Sequence, residues 1–239
     1  NIIDTPGYLD FIAESRAALK VSDLAVVVVH ATHGIEIGTS KVWDFAEEFG
    51  LAKVVVVNGI DAENAQYEPI LEDLKTTFGA RFFPINIPIN PGPGYNEMLD
   101  VIRKAKLTYK TDGSGKYDEA KAAGEEGEQV DQLHTELIEL VAESDDTLLE
   151  KFFDEGITEE ELRGGLHKAF QSRTFIPVFF TSSETNVGVA RLMDFISKYA
   201  SSPDDHMETV AQNVDGEEVT ISLDDNEAAA FVFKTINES

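Results

Sequence analysis

The stretch "AKVVVVNGID", residues 52–61, runs four valines into an Asn-Gly pair and ends on a carboxylate. A β-branched run this short, with no polar alternation, is the pattern of a strand buried on both faces. "DLAVVVVH" at 23–30 and "FIPVFFTSS" at 175–183 repeat the texture, and "NIID" at 1–4 reads as one more strand. Helical patterns run from about Leu9 to Lys20, Ser40 to Phe49 and Tyr67 to Phe78, and "NVGVARLMDFISKYA" is amphipathic. Strand and helix in alternation imply right-handed crossovers and a parallel, doubly wound sheet.

Working outward, the texture changes at about Phe82. "FFPINIPINPGPGYNEMLDVIRKAKLTYK" is broken by Pro and Gly into short extended pieces, and "TDGSGKYDEAKAAGEEGEQ" predicts a flexible, hairpin-like part. Residues 129–171 show helical spacing, with Val130, Leu133, Leu137, Leu140 and Val141 on one face. Within them "SDDTLLEKFF" and "TEEELRGGLHKAF" open on Ser or Thr caps ahead of acidic first turns. The sheet texture then returns, "SSPDDH" ends the last amphipathic helix, and the tail is polar and then strand-like. These changes divide the chain at 1–83, 84–172, 173–203 and 204–239.

Composition bounds what the chain can do. It has 239 residues, 42% hydrophobic, enough for a sizeable core. Lys and Arg number 19 against 45 Asp and Glu, a formal charge of -26, which argues against a basic face for nucleic acid. There is no cysteine, so disulfides, thiolate metal sites and cysteine nucleophiles are excluded. The apolar runs are too short to span a bilayer and no signal segment precedes them, which predicts a soluble, cytoplasmic protein. The chain opens on Asn1 inside a strand-like stretch, and its tail stops before a β-domain is complete. An internal piece of a longer protein is the expectation.

In a doubly wound sheet, ligands sit at the carboxyl ends of strands. Three of those ends carry candidate residues. "DTPG" follows the first: Asp4 can hold magnesium through a water, and the Gly7 N–H can approach a γ-phosphate because no side chain intervenes. An ordinary turn is the other reading. Asn58 and Asp61 end another strand as an N-x-x-D pair, in which the carboxylate accepts from guanine N1 and N2 while Asn braces the loop; the alternative is a plain Asn-Gly turn. Ser182 and Ser183 end the later strand and can offer backbone and hydroxyl groups to a guanine edge, or form only a polar loop. His30 and His33 have a spacing that suits a metal, but no third ligand lies near in sequence and the solvent-loop reading is preferred.

The order and separation of these motifs carry a resemblance. Residues 4–80, "DTPGYLDFIAESRAALK" through "NGIDAENAQYEPILEDLKTTFGA", are similar to the second half of the nucleotide-binding domain of the elongation factor G family of translational GTPases. The likeness continues through "ESDDTLLEKFF", "ITEEELRGGLHKAF" and "IPVFFTSSETNVGVARLMDFISKYASSPDD" into "NEAAAFVFKT", which resembles the first strand of the family's second domain. It covers essentially the whole chain, and the large insert favours elongation factor G over elongation factor Tu. The resemblance implies an α/β fold with a P-loop-GTPase-type doubly wound sheet, incomplete at the N-terminus. It further implies an inserted α+β subdomain and the first strand of a following β-barrel domain. It also implies GTP or GDP with Mg2+, Asp4, Gly7, Asn58, Asp61, Ser182 and Ser183 as nucleotide-binding residues, and a monomer that acts on the ribosome. The inserted subdomain would face the ribosomal stalk protein, and no membrane is involved.

The departures from the family are as informative. No G-x-x-x-x-G-K-[ST] occurs; the nearest match, ending "GSGKY", has Lys110 for the leading Gly and Tyr117 for the hydroxyl. The phosphate cradle and first switch of a family member precede the position of Asn1, so the chain alone is expected to be inactive while an intact parent hydrolyses GTP. Gly59 replaces the family's Lys between Asn and Asp, which implies weaker nucleotide binding. Tyr8 stands at the place of the family's water-positioning His, the catalytic position. A phenol with a pKa near 10 does not mimic an imidazolium, which points to a divergent paralogue with slowed or re-engineered hydrolysis. A surface residue on a mobile loop is the bland alternative. Two other functions remain open: a GTP-binding, ribosome-associated switch with little or no hydrolysis, and a ribosomal-protection relative.

Overall fold

The computed structural model describes residues 1–79, 81–154, 156–202, 205, 208–225 and 228–235. A 3-10 turn at Leu9–Phe11 leads into α1 (Ile12–Leu19), followed by β1 (Leu24–His30), α2 (Ile37–Glu48), β2 (Ala52–Asn58) and α3 (Glu68–Phe78). The chain then lays down β3 (Phe82–Pro84), β4 (Asn86–Pro88), β5 (Glu97–Asp100), β6 (Ala105–Tyr109) and β7 (Tyr117–Lys121). Helices α4 (Gly124–Ala142), α5 (Asp146–Asp154) and α6 (Glu159–Gln171) precede β8 (Ile176–Thr181) and α7 (Val189–Tyr199). A hairpin of β9 (Glu208–Gln212) and β10 (Glu218–Ser222) follows.

Four parallel strands in the order β1-β2-β8-β3 form the central sheet. Trp43 of α2 and Ile70 and Leu74 of α3 pack on the face built by Val27, Val29, Val55, Val57 and Phe180. On the other face, Val54, Val56 and Phe179 meet Leu137 of α4, Leu166 of α6 and Phe195 of α7. Layers on both sides are what a doubly wound sheet requires. β2 and β8 are buried along almost their whole length, as continuous apolar runs predict.

β1 corrects that expectation. Its burial alternates, with Val26 42% and Val28 61% exposed, because no helix among the described residues covers that face of the edge strand. The "NIID" strand is also absent: residues 1–7 carry no strand, and Ile2 and Ile3 are exposed. A strand exists only through ladder hydrogen bonds to a neighbour, and these residues pair with none of the described ones. Residues 228–235 likewise form no strand. Asn226 and Glu227 of "NEAAAFVFKT", and Pro203, Asp204 and His206 of "SSPDDH", lie outside the described residues.

The second sheet is antiparallel, in the order β4-β5-β6-β7. β3 and β4 are one extended run that changes sheet at Ile85, whose N–H still donates to Val178 O at 2.9 Å. Beyond it the Asn86 side chain replaces the backbone ladder. Its Nδ2 donates to Phe180 O at 2.9 Å, and its Oδ1 accepts from Phe180 N at 2.8 Å. The segment expected to be flexible after Tyr109 is more ordered than its composition suggests. It pairs β7 with β6 and enters α4 at Gly124, five residues before the expected start. Asp145, not Ser144, caps α5, accepting from Thr147 N at 3.0 Å. Thr158 caps α6, and Glu161 bonds back to Thr158 N at 2.9 Å.

Candidate functional site

The register His30↔Asn58↔Thr181 brings three strand ends side by side. Asn58 is the tie between them. Its Oδ1 accepts from Ser183 N at 2.9 Å and from Thr181 Oγ1 at 3.2 Å, and its Nδ2 donates to Ser183 Oγ at 3.0 Å. The backbone adds Ala31 N to Asn58 O at 2.8 Å and Ile60 N to Thr181 O at 3.1 Å. The loops after β1, β2 and β8 are thereby held as one surface. Asp61 lies on it, half-buried, and its carboxylate has no hydrogen bond or ion pair among the described residues.

The expected pair of outward-facing serines is reduced to one. Ser183 is exposed, whereas Ser182 is fully buried. The Ser182 hydroxyl accepts from Thr185 N at 3.2 Å and Thr185 Oγ1 at 2.8 Å, and its backbone pairs with Val187 in both directions. Ser182 shapes the loop from within. Thr181, itself buried, braces Asn58 through its hydroxyl, a part that sequence reading did not assign; its place one residue before the serines is the signal that could have found it.

Gly59 adopts φ +83°, a left-handed conformation that side chains disfavour. A Cβ there would stand 3.0 Å from His30 Nε2. The His30 ring thus occupies the space beside Gly59. Its Nδ1 accepts from Thr32 N at 3.2 Å, and the His33 ring stands 4.6 Å away between centroids. Sequence reading weighed a metal ligand against a solvent-loop residue at His30, preferred the loop, and missed this contact.

Asp4, Gly7 and Tyr8 sit apart from that surface, and among the described residues no hydrogen bond joins them to it. The Gly7 carbonyl lies 3.7 Å from where a side chain on Gly38 of α2 would begin, so the segment leans on the first turn of α2. Tyr8 is 77% exposed, and its carbonyl accepts from Phe11 N at 3.0 Å to close the 3-10 turn. Asp4 is exposed, and its carboxylate has no partner among the described residues. An unpaired carboxylate of this kind fits a water-linked magnesium ion. Among the described residues no three His, Cys, Asp or Glu side chains gather as a metal site.

The antiparallel sheet backs the same surface. Gly92 N donates to Ile60 O at 2.7 Å, and Asn186, in the loop after β8, donates to Gly113 O at 3.2 Å in the turn between β6 and β7. Behind them, Arg191 Nε donates to Asp100 Oδ2 at 2.7 Å; both side chains are buried, and Arg191 Nη1 also meets Asp194 at 2.7 Å. Burial alone would drive the Arg191 guanidinium down, but the Asp100 carboxylate holds it above its usual range.

Comparison with known proteins agrees with this arrangement. Residues 1–202 match the family model of the elongation factor Tu GTP binding domain. Elongation factor G of Thermotoga neapolitana is 34% identical over 237 residues, which is 98% of this chain and 34% of that protein. A crystal structure of a protein from Thermus thermophilus superposes with a TM-score of 0.77 at 34% identity, covering 87% of this chain and 31% of the other. The chain spans about a third of the length of the curated relative it matches. With a doubly wound parallel sheet, an appended antiparallel sheet and N-x-x-D at a strand end, this chain belongs to the family of the elongation factor Tu GTP-binding domain.

Proposed function

We propose that the chain is the guanine-reading part of a translational GTPase of the elongation factor G type. The observation that carries this is the Asn58 tie: three hydrogen bonds hold the N-x-x-D loop against the Ser183 loop, with the Asp61 carboxylate unpartnered among the described residues. The Asp61 carboxylate accepts from guanine N1 and N2, Ser183 faces the same edge, and Asn58 keeps both loops in register. Asp4 would hold magnesium through a water and Gly7 would offer its N–H to the γ-phosphate; the charge neutralisation that phosphoryl transfer to water requires would come from that metal. Tyr8 takes the water-positioning place. The protein acts in the cytoplasm as a monomer on the ribosome in the translocation step, with residues 84–172 as an inserted subdomain that faces the stalk protein. Among the described residues no helix is long and apolar enough to cross a membrane.

A second reading, a nucleotide switch with little hydrolysis, is favoured by Gly59, which puts no cationic side chain over the site, and by the phenol at residue 8.

The test is base choice in the product of the complete reading frame. Asp61→Asn should weaken GTP and improve xanthosine triphosphate, because adenine or a substituted base edge leaves buried polar groups unpaired and such sites discriminate by about 10⁴. Competition titration against a fluorescent guanine nucleotide reads it. An unchanged preference would remove Asp61 from the role.

A further inference from the structure

The Ser183 loop is fastened at both ends. Ser182 and Val187 pair their backbones in both directions, at 3.0 and 2.9 Å, and so close the loop Ser183–Asn186. At its first residue, Ser183 N donates to Asn58 Oδ1 at 2.9 Å. At its last, Asn186 Nδ2 donates to Gly113 O at 3.2 Å, in the turn that joins β6 to β7 and lies 73 residues away in sequence.

The second attachment is shaped to its partner. A Cβ on Gly115 would stand 2.7 Å from Asn186 Nδ2, 3.0 Å from its Cγ and 3.2 Å from its Oδ1, so the whole amide lies against the bare Cα of Gly115. Gly113 supplies the acceptor, and a Cβ there would meet no described atom within 4 Å. The tip is itself closed, by Lys110 N on Lys116 O at 2.8 Å and by Asp112 Oδ1 accepting from Ser114 N at 2.9 Å. Asn186 holds φ +59°, a left-handed conformation that Asn tolerates better than most residues.

The antiparallel sheet also holds the N-x-x-D loop, through Gly92 N on Ile60 O at 2.7 Å, one residue ahead of Asp61. The two braces differ in kind. Ile60 is fully buried and held by backbone alone, whereas the bond from Asn186 to Gly113 is made by a side chain at an exposed place, where water can compete for both groups. Segments held by exposed bonds open at the low end of local stability, so the Asn186 brace is the one that can release.

We propose that Asn186 is a positioning residue for guanine and that the tip of the β6–β7 hairpin is its latch. Docked, the tip keeps the Ser183 loop against Asn58, where Ser183 faces the base edge; undocked, it lets that loop move and the nucleotide leave. Release of the guanine nucleotide is thereby governed from the antiparallel sheet. The inference rests on the guanine reading of Asp61 and Ser183 above.

The experiment loads the product of the complete reading frame with GDP labelled fluorescently on the ribose and follows its dissociation by stopped flow against excess unlabelled GDP. Asn186→Gly suits the left-handed backbone and removes the amide; dissociation should quicken about 5-fold, the scale of one hydrogen bond. Gly115→Ala and Gly113→Ala both put a side chain on a left-handed residue, at φ +68° and +73°, but only the first drives a Cβ into Asn186. Gly115→Ala should therefore quicken dissociation as Asn186→Gly does and add nothing to it in the double variant. Gly113→Ala should lower the urea midpoint by a similar amount and leave the dissociation rate unchanged. Equal dissociation rates for the two alanine variants would mean that release merely follows lost stability, and would overturn the inference. Release at the wild-type rate from Asn186→Gly, in a protein whose Asp61→Asn variant does switch to xanthosine diphosphate, would also overturn it and leave the guanine reading standing. If Asp61→Asn does not switch the base, the reading fails and the inference with it.

Discussion

At Gly59 the backbone explains what composition alone does not. The residue holds φ +83° and a side chain would begin 3.0 Å from His30 Nε2. Two penalties therefore meet any larger residue. The left-handed conformation costs about 1–2 kcal/mol for a residue with a Cβ, whereas the contact falls on the end of an exposed imidazole that can swing away. The conformation should dominate. Gly59→Ala is expected to destabilise the chain by about 1–2 kcal/mol, by nearly the same amount in wild-type and His30→Ala backgrounds, when urea melts of the four proteins are compared. A cost that vanishes with His30 would assign it to the ring contact instead. The motif around this residue was legible from spacing alone, since Asn58 and Asp61 end a Val-rich strand. The conformation of Gly59 and the burial of Ser182 by its bonds to Thr185 and Val187 were not, because neither carries a periodic signal, and the bond from Thr181 to Asn58 joins residues 123 positions apart.

Among elements, the strands that could be read from their apolar runs are those with neighbours on both sides. β2 and β8 are such strands; β1, with the same valines, has one open face because a helix must cover a face before it is buried. The joint between the two sheets was illegible for another reason: Asn86 sits in a Pro-broken stretch that gives no periodic signal. Its amide nevertheless extends the edge of β8 after β3 peels away, pairing both backbone groups of Phe180, directly ahead of Thr181 and the Ser183 loop. Asn86 is 1% exposed, so water does not readily take over. Asn86→Leu, close in volume, orphans one N–H and one C=O, each worth about 1–3 kcal/mol when buried. The sum predicts a loss of about 2–6 kcal/mol in urea denaturation, and, since the ladder supports the Ser183 loop, weaker guanine-nucleotide binding by the complete protein. A loss well under 1 kcal/mol would mean that β4 shifts to pair with Phe180 through its own backbone.

At the scale of the whole molecule, charge is the dominant uncancelled term. Ion pairs are numerous at the surface, among them Arg16 with Glu48, Lys104 with Asp131 and Lys168 with Asp145. Exposed pairs contribute only about 0–1 kcal/mol each and salt weakens them. Even if all 19 Lys and Arg were paired, 45 − 19 = 26 carboxylates would remain with only like charges to face. The compact state brings those carboxylates closer together than the unfolded chain does, so their repulsion opposes folding. Added salt acts on both terms, shortening the screening length from about 10 Å at 0.1 M to about 3 Å at 1 M. Pairs in contact, at 2.5 to 2.9 Å in these three cases, lie inside either length, whereas the repulsion between dispersed carboxylates acts over longer distances and is cut most. Screening should therefore stabilise the fold: the melting temperature should rise by several degrees as NaCl goes from about 0.05 to 0.5 M, in the range where the screening length changes most. Differential scanning calorimetry at fixed pH reads the effect, and a melting temperature that stays flat or falls over that range would mean that the ion pairs outweigh the net charge.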